Sequence, residues 1–140
     1  MTALKDQHLK SLEGTSFVPM MQHLNQVLET IGDGVAVVSS IPAPEFENAM
    51  ARMHGGYVAA LIDTALGCAV ASKLPSHTRY GTIELSVKFV RKIDMQTGKL
   101  FAKAHVLHAG RTMLTAEAQV ADAEGKLYAH GSGTFLVYPT

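Results

Sequence analysis

Asp63 is the one charged residue in the long apolar segment from Tyr57 to Ser72, and its neighbours Ala59, Ala60, Leu61, Ile62, Ala65, Leu66 and Gly67 are small or apolar. Burying an ionised carboxylate without partners is strongly unfavourable. Such a residue either lies on a helix surface, bonded to a neighbouring loop or subunit, or faces a solvent-filled cleft where it can act on a substrate. An ordinary Asp, with a pKa of about 3.9, is ionised at neutral pH. His54-Gly55-Gly56 stands just before the segment. Alanine-rich composition and a length beyond that of a normal strand predict a helix over 57–72. Two glycines at its start let another group approach the backbone. The first N–H groups of a helix lack internal partners and carry roughly half an elementary positive charge, a setting for an anion or a developing oxyanion. Asp63 follows Gly55 by eight residues, about 12 Å along a helix axis. Asp63 and the Gly55 N–H of one chain therefore cannot serve one small reacting group, whereas a symmetric dimer could bring Asp63 of one chain to Gly55 of the other.

The elements that must position these residues follow from hydrophobic periodicity. Residues 1–15 are polar and weakly patterned, a loose arm or a frayed helix. Phe17, Met20, Met21, Leu24, Val27, Leu28 and Ile31 predict an apolar helix face over 17–31, with Pro19 in the first turn and Gly32-Asp33-Gly34 as the stop. Val35 to Ile41 reads as a strand, ended by Pro42 and Pro44, and residues 45–53 form an irregular link containing Asn48. After the long helix come strands only. Ile83, Leu85, Val87 and Phe89 alternate with Thr82, Glu84, Ser86 and Lys88. Leu100 to His108, Leu114 to Val120 and Leu127 to Val137 follow, joined by turns at Ala109-Gly110-Arg111 and Asp122–Gly125, with Gly131 and Gly133 permitting a bulge. Short connections imply antiparallel pairing. The expectation is an α+β domain spanning 1–140, an arm and helix over 1–33 and a core over 34–140, in which one sheet curls around one buried helix.

Composition removes several classes of function. The chain has 140 residues, 47% apolar and 17% charged, enough for one domain with a real core. Twelve basic residues balance twelve acidic ones, and no basic cluster exceeds Arg91-Lys92, so nucleic acid is not an expected partner. A net charge of zero does little to hold copies apart. The single cysteine, Cys68, excludes an intrachain disulfide and a Cys-rich zinc site, and its apolar setting reads as a buried thiol. His77, His105, His108 and His130 lack metal-ligand spacing, so no metal is expected. The N-terminus lacks the apolar core of a signal peptide, and no run reaches the roughly 18 apolar residues of a membrane span. These features describe an expected cytoplasmic protein with no membrane partner.

Asn48, His54-Gly55-Gly56, Asp63-Thr64-Ala65 and the run from Thr82 to Phe89, taken in order, resemble the hotdog-fold acyl-CoA thioesterases, in particular the phenylacetate-degradation (PaaI-like) type. The likeness spans roughly residues 34–137. It implies a hotdog fold, an antiparallel sheet wrapped around the long helix, and hydrolysis of an acyl-CoA to a free acid and CoA. By that resemblance Asp63 is the catalytic carboxylate, acting on water or directly on the thioester carbonyl, and the Gly55 N–H polarises the thioester oxygen. His54 orients that oxygen or the loop around it, Asn48 positions the thioester or the water, and Thr82 holds the water near Asp63. Each has a plainer reading: His54 as a helix cap, Asn48 as a turn residue, Thr82 as an ordinary strand start. Gly110, Arg111 and Thr112 resemble the segment that touches the nucleotide, and Arg91 with Lys92 offers further phosphate donors; all could equally be solvated strand ends. CoA enters as part of the substrate, and no separate cofactor is implied. A dimer with shared sites is expected and, by resemblance, a tetramer of two dimers. Tyr57 departs from the smaller aliphatic common at its position. The main alternative is a noncatalytic acyl-CoA binding or sensing module of the same fold; a hydratase of that fold uses different motifs. The acyl group stays open.

Overall fold

Alternating apolar residues pair into one sheet of six strands, every neighbouring pair antiparallel. The computed structural model describes residues 2–139; Met1 and Thr140, the ends of the expected domain, lie outside the described residues. The elements are α1 (Thr2–Ser11), α2 (Pro19–His23), β1 (Gln26–Gly32), β2 (Val35–Ser40), a 3-10 turn (Pro44–Phe46), α3 (Gly55–Ala71), β3 (Arg79–Phe89), β4 (Leu100–Ala109), β5 (Met113–Ala121) and β6 (Leu127–Tyr138). The sheet runs β1-β2-β4-β5-β6-β3, so β3, which follows the helix in sequence, crosses to the far edge. This is the hotdog arrangement: α3 lies across the sheet, with its closest packing on β2, β4 and β5. Leu61, Ile62, Ala65, Leu66, Ala69 and Val70 on α3 are fully buried, as are Val38, Leu100, Ala102, Ala104, Leu114, Ala116 and Val120 on the strands. Small alanines on the central strands let the helix come close, and each large side chain so buried contributes about 1.5–3 kcal/mol.

One expectation is overturned. Residues 17–31 are not a single helix: only Pro19–His23 is helical, and Gln26–Gly32 is the edge strand β1. Asn25, with φ +54°, turns the chain between them. The apolar spacing fits both forms because a bulge at Glu29 breaks the strand's period of two, leaving Gln26, Leu28 and Ile31 buried. Pairing with β2 satisfies the backbone of the β-branched stretch, and tertiary context overrides the weak helical pattern. The outer edge of β1 is also closed. Gly14 N–H donates to the Leu28 carbonyl, Leu28 N–H to that of Thr15, and the Ser16 hydroxyl to that of Gln26.

The opposite edge differs. β3 has eleven residues and pairs only with β6 among the described residues. Its register shifts between Thr82 and Glu84, so Ile83 is an extra residue. The bulge reverses which side chains face the helix. Tyr80 and Thr82 reach α3 on one side of it, and Val87 and Phe89 do so on the other. Strict alternation would have turned Thr82 away with Glu84, Ser86 and Lys88.

Gly131 on β6 makes room for β3. A Cβ there would lie 2.5 Å from the Ser86 carbonyl oxygen, a backbone atom that cannot swing aside. Gly131→Ala should lower stability by about 1–3 kcal/mol, read as a fall in the urea midpoint at unchanged slope; an unchanged midpoint would mean that the β3–β6 pair opens freely.

Candidate active site

The start of α3 is prepared by the loop before it. His54 N–H donates to the Phe46 carbonyl at 2.7 Å, and Glu47 and Met53 form an isolated bridge, so residues 46–54 fold back as a tight loop. At its tip the Asn48 side-chain oxygen accepts from the N–H groups of Met50 (2.9 Å) and Arg52 (3.2 Å), holding Ala51 at φ +58°. Asn48 is therefore a turn residue through its oxygen, and its amide nitrogen makes no hydrogen bond among the described residues. His54 is the helix N-cap, its Nδ1 accepting from Gly56 N–H at 2.8 Å. An accepting Nδ1 places the proton of the neutral ring on Nε2, which faces solvent as a donor. Tyr57 and Val58 N–H both go to the His54 carbonyl. Gly55 N–H alone among the first four helical donors has no protein partner among the described residues. A Cβ at Gly55 would stand 3.3 Å from the tip of the Phe89 ring, an exposed side chain that can shift by the few tenths of an ångström needed.

Two helical turns on, Asp63 shows the second half of the chemistry. Thr82 Oγ1 donates to Asp63 Oδ1 at 2.8 Å, which leaves Oδ2 free and turns the carboxylate outward across the β3 side of the helix. Nearby, Tyr80 donates to the Gly67 carbonyl at 3.1 Å. Burial, chiefly, with Cys68 and Asp63 adding to it, pushes the Tyr80 phenol up to about 12, and burial alone pushes the Cys68 thiol up to about 12.

Within one chain the two halves stay apart. Gly55 lies against Phe89 and Asp63 against Thr82, seven residues apart along β3 and eight residues, about 12 Å, apart along α3. The expected nucleotide contacts are divided in the same way. Gly110, Arg111 and Thr112 form the β4–β5 turn, where the Thr112 carbonyl accepts from Val137 N–H, at the sheet end where β3 begins. Arg91 follows the other end of β3 and donates to the Leu127 carbonyl at 2.6 Å. There it borders a cleft of about 440 Å³ with Lys92 and Lys126. Sequence spacing had no means of finding Lys126, or Phe89 as the cover of Gly55, because both come from strands distant in the chain. A larger cleft of about 820 Å³ lies between α1, the β1–β2 turn and the C-terminal end of α3, away from this polar set. No described group of three His, Cys, Asp or Glu side chains is placed to hold a metal, and no described helix is long and apolar enough to cross a membrane.

With fold and polar set in place, comparison with known proteins decides the family. The thioesterase superfamily model matches residues 50–129, the stretch that contains His54, Gly55, Asp63, Thr82 and Arg111. The chain belongs to the thioesterase superfamily. A candidate esterase of Halobacterium salinarum is 42% identical over 94 residues, a match spanning 61% of this chain and 60% of that protein's length. A conserved protein of Pseudomonas aeruginosa has the same fold at 32% identity, TM-score 0.81, covering 88% of this chain and 96% of that one. The phenylacetic acid degradation protein PaaI of Thermus thermophilus, solved as an Asn-to-Asp variant, matches at 25% identity and TM-score 0.77, covering 85% of this chain and 98% of that one. Within the thioesterases this chain is of the PaaI-like type.

The raised Cys68 and Tyr80 values carry a sign. Both groups are held protonated by the fold, so their contribution is complete below the ordinary thiol value of 9.0 and is lost as pH climbs toward about 12. Stability measured from pH 8 upward should fall through that window. Over the same range Cys68 should resist alkylation in the native protein and react once urea unfolds it; rapid native labelling at pH 8 would contradict its burial.

Proposed function

We propose that the protein hydrolyses acyl-CoA thioesters at sites shared between two copies of the chain. The observation that carries this reading is the bare β3 edge, with the free Gly55 N–H at one end and the Asp63–Thr82 pair toward the other. The edge of β1 is capped by residues 14–16, whereas β3 presents an open ladder along which Ile83 is 50% and Phe89 57% exposed. Long, open, apolar edges recruit another strand. Isologous pairing places residue i against j and j against i. A two-fold axis through Ser86 sets Ser86 opposite its own copy and, past the extra residue Ile83, Thr82 opposite Phe89 of the partner subunit, with both side chains facing the helix layer. Asp63 of one chain then meets Gly55 of the partner subunit. The same operation brings Arg111 of one chain toward Arg91 of the partner subunit, so the nucleotide contacts converge on that site too. The outward face of α3, with Ala60, Thr64 and Gly67, is small enough for close packing of a second helix beside the joined edges; a Cβ at Gly67 would meet nothing within 4 Å.

In that geometry the thioester oxygen accepts from Gly55 N–H, with His54 Nε2 as a second donor. Asp63 removes a proton from water as the water oxygen attacks the carbonyl carbon, and Thr82 fixes the carboxylate rotamer while offering its oxygen to the same water. The carbonyl electron pair moves to the oxygen held at the helix start; its return breaks the carbon–sulfur bond and releases the CoA thiolate, which takes the proton from Asp63. The helix N-terminus stabilises the charge where it develops. CoA is part of the substrate, and no other cofactor has a role. These surfaces account for a dimer; a tetramer of two such dimers is what the family resemblance implies.

Gly55→Pro tests the donor cleanly. Proline is tolerated at the first helical position, and His54, at ψ +140°, already has the extended backbone a following proline needs. This variant should stay folded and lose about 100-fold or more in kcat, as should Asp63→Asn. Co-expressing the two should restore activity to about one quarter of wild type, because a mixed dimer keeps one intact shared site. Thiol release from acyl-CoA reads each case. Full activity in Asp63→Asn would overturn the carboxylate's role, mixed dimers without recovery would overturn the shared site, and acyl-CoA binding without turnover by wild type would make the protein a binding module.

A further inference from the structure

Behind the first turn of α3 stands a side chain that the catalytic chemistry does not use. Gln26, on β1, is 0% exposed, and among the described residues neither its amide oxygen nor its amide nitrogen has a hydrogen-bond partner. Each such buried orphan costs about 1–3 kcal/mol, so an amide with both groups unpaired is retained only where something else satisfies it. Its surroundings place it. Gln26 stands directly across from Ser40 in the β1–β2 ladder, on the same face of the sheet. The Ser40 hydroxyl donates to the Leu24 carbonyl at 2.8 Å and lies 2.5 Å from the Tyr57 hydroxyl. Tyr57 belongs to the first turn of α3, two residues after the free Gly55 N–H, and its ring stacks on Phe46 with centroids 4.7 Å apart. Ser40 and Tyr57 thus satisfy each other, and the Gln26 amide beside them is left over. Through Tyr57 the polar cluster reaches the first turn of α3, the turn that carries the free Gly55 N–H.

We propose that Gln26 is a specificity-determining residue: its amide receives a hydroxyl carried at the far end of the acyl group, with the Phe46–Tyr57 pair as the apolar wall along which that group lies. A hydroxyl offers one donor and an acceptor, and the amide offers the complementary oxygen and N–H. A plain hydrocarbon end would leave both amide groups unpaired, so the site rejects it. This assignment deepens the acyl-CoA reading and rests on it.

The test uses matched acyl chains with and without a terminal hydroxyl, in two forms. Non-hydrolysable thioether analogues of acyl-CoA report affinity by calorimetry whether or not the protein turns over, and the thioesters report turnover. Wild type should bind the hydroxylated thioether about tenfold or more tightly than its plain counterpart at the best chain length, the factor expected of one well-made buried hydrogen bond. Gln26→Leu, of similar size without the amide, should bring that ratio to about one. Gln26→Met serves as a second variant should Leu not fold, and a melting curve on each shows that it is intact. A wild-type ratio near one, or a ratio that survives in either folded variant, overturns the proposal and leaves the amide to a trapped water. Absence of thioester turnover in wild type sinks the hydrolase reading, while the thioether ratio still decides the role of Gln26.

Discussion

The burial of α3 is the constraint on which the rest depends. A seventeen-residue helix that is apolar around most of its circumference must be covered, and six strands curl over it to do so. Covering it from one side only leaves two features of the helix uncovered. One is the N-terminal end, where no sheet residue takes the Gly55 N–H. The other is the stripe containing Ala60, Asp63, Thr64 and Gly67, which faces away from the central strands. The groups proposed to react are therefore on the parts of the helix that the fold of one chain cannot close.

The two sheet edges resolve that incompleteness in opposite ways. At β1 the chain doubles back and residues 14–16 occupy the outer ladder positions. At β3 nothing comparable occurs among the described residues, and the strand is long, bulged and apolar along its inner side. A bulge is a local defect in pairing, yet here it aims a functional side chain: it turns Thr82 onto Asp63 while leaving Phe89 against Gly55. The glycines of β6 permit that path, since Gly131 lies where a Cβ would strike the β3 backbone. Structural and chemical demands on β3 are thus met by the same few residues.

The loop before α3 shows how a plain structural role and a chemical one coexist. His54 caps the helix through Nδ1 and for that reason presents Nε2–H outward. Asn48 ties its loop through its oxygen and keeps its amide nitrogen for other use. In both cases the bond that holds the side chain also selects which atom is left for another partner, which is the kind of preorganisation an oxyanion-stabilising site requires.

Much of this was legible in the sequence. The long helix, the four strands after it, the strand from Val35 and the polar set from Asn48 to Thr82 were visible because each is a local pattern: alanine-rich apolar length, alternation with a period of two, and turn residues between them. The separation of Gly55 from Asp63 was also readable, since helical rise depends on residue count alone. The sequence could not reveal that 26–32 is a strand, because a bulge gave it a helix-like spacing and only pairing with β2 selected the extended form. Nor could it reveal that Thr82 faces the helix, that Phe89 covers Gly55, that Arg91 and Arg111 stand at opposite ends of the sheet, or that Gln26 is buried without a partner. Those are relations between residues far apart in the chain, set by strand register and crossover, and register is a property of two strands that neither carries alone.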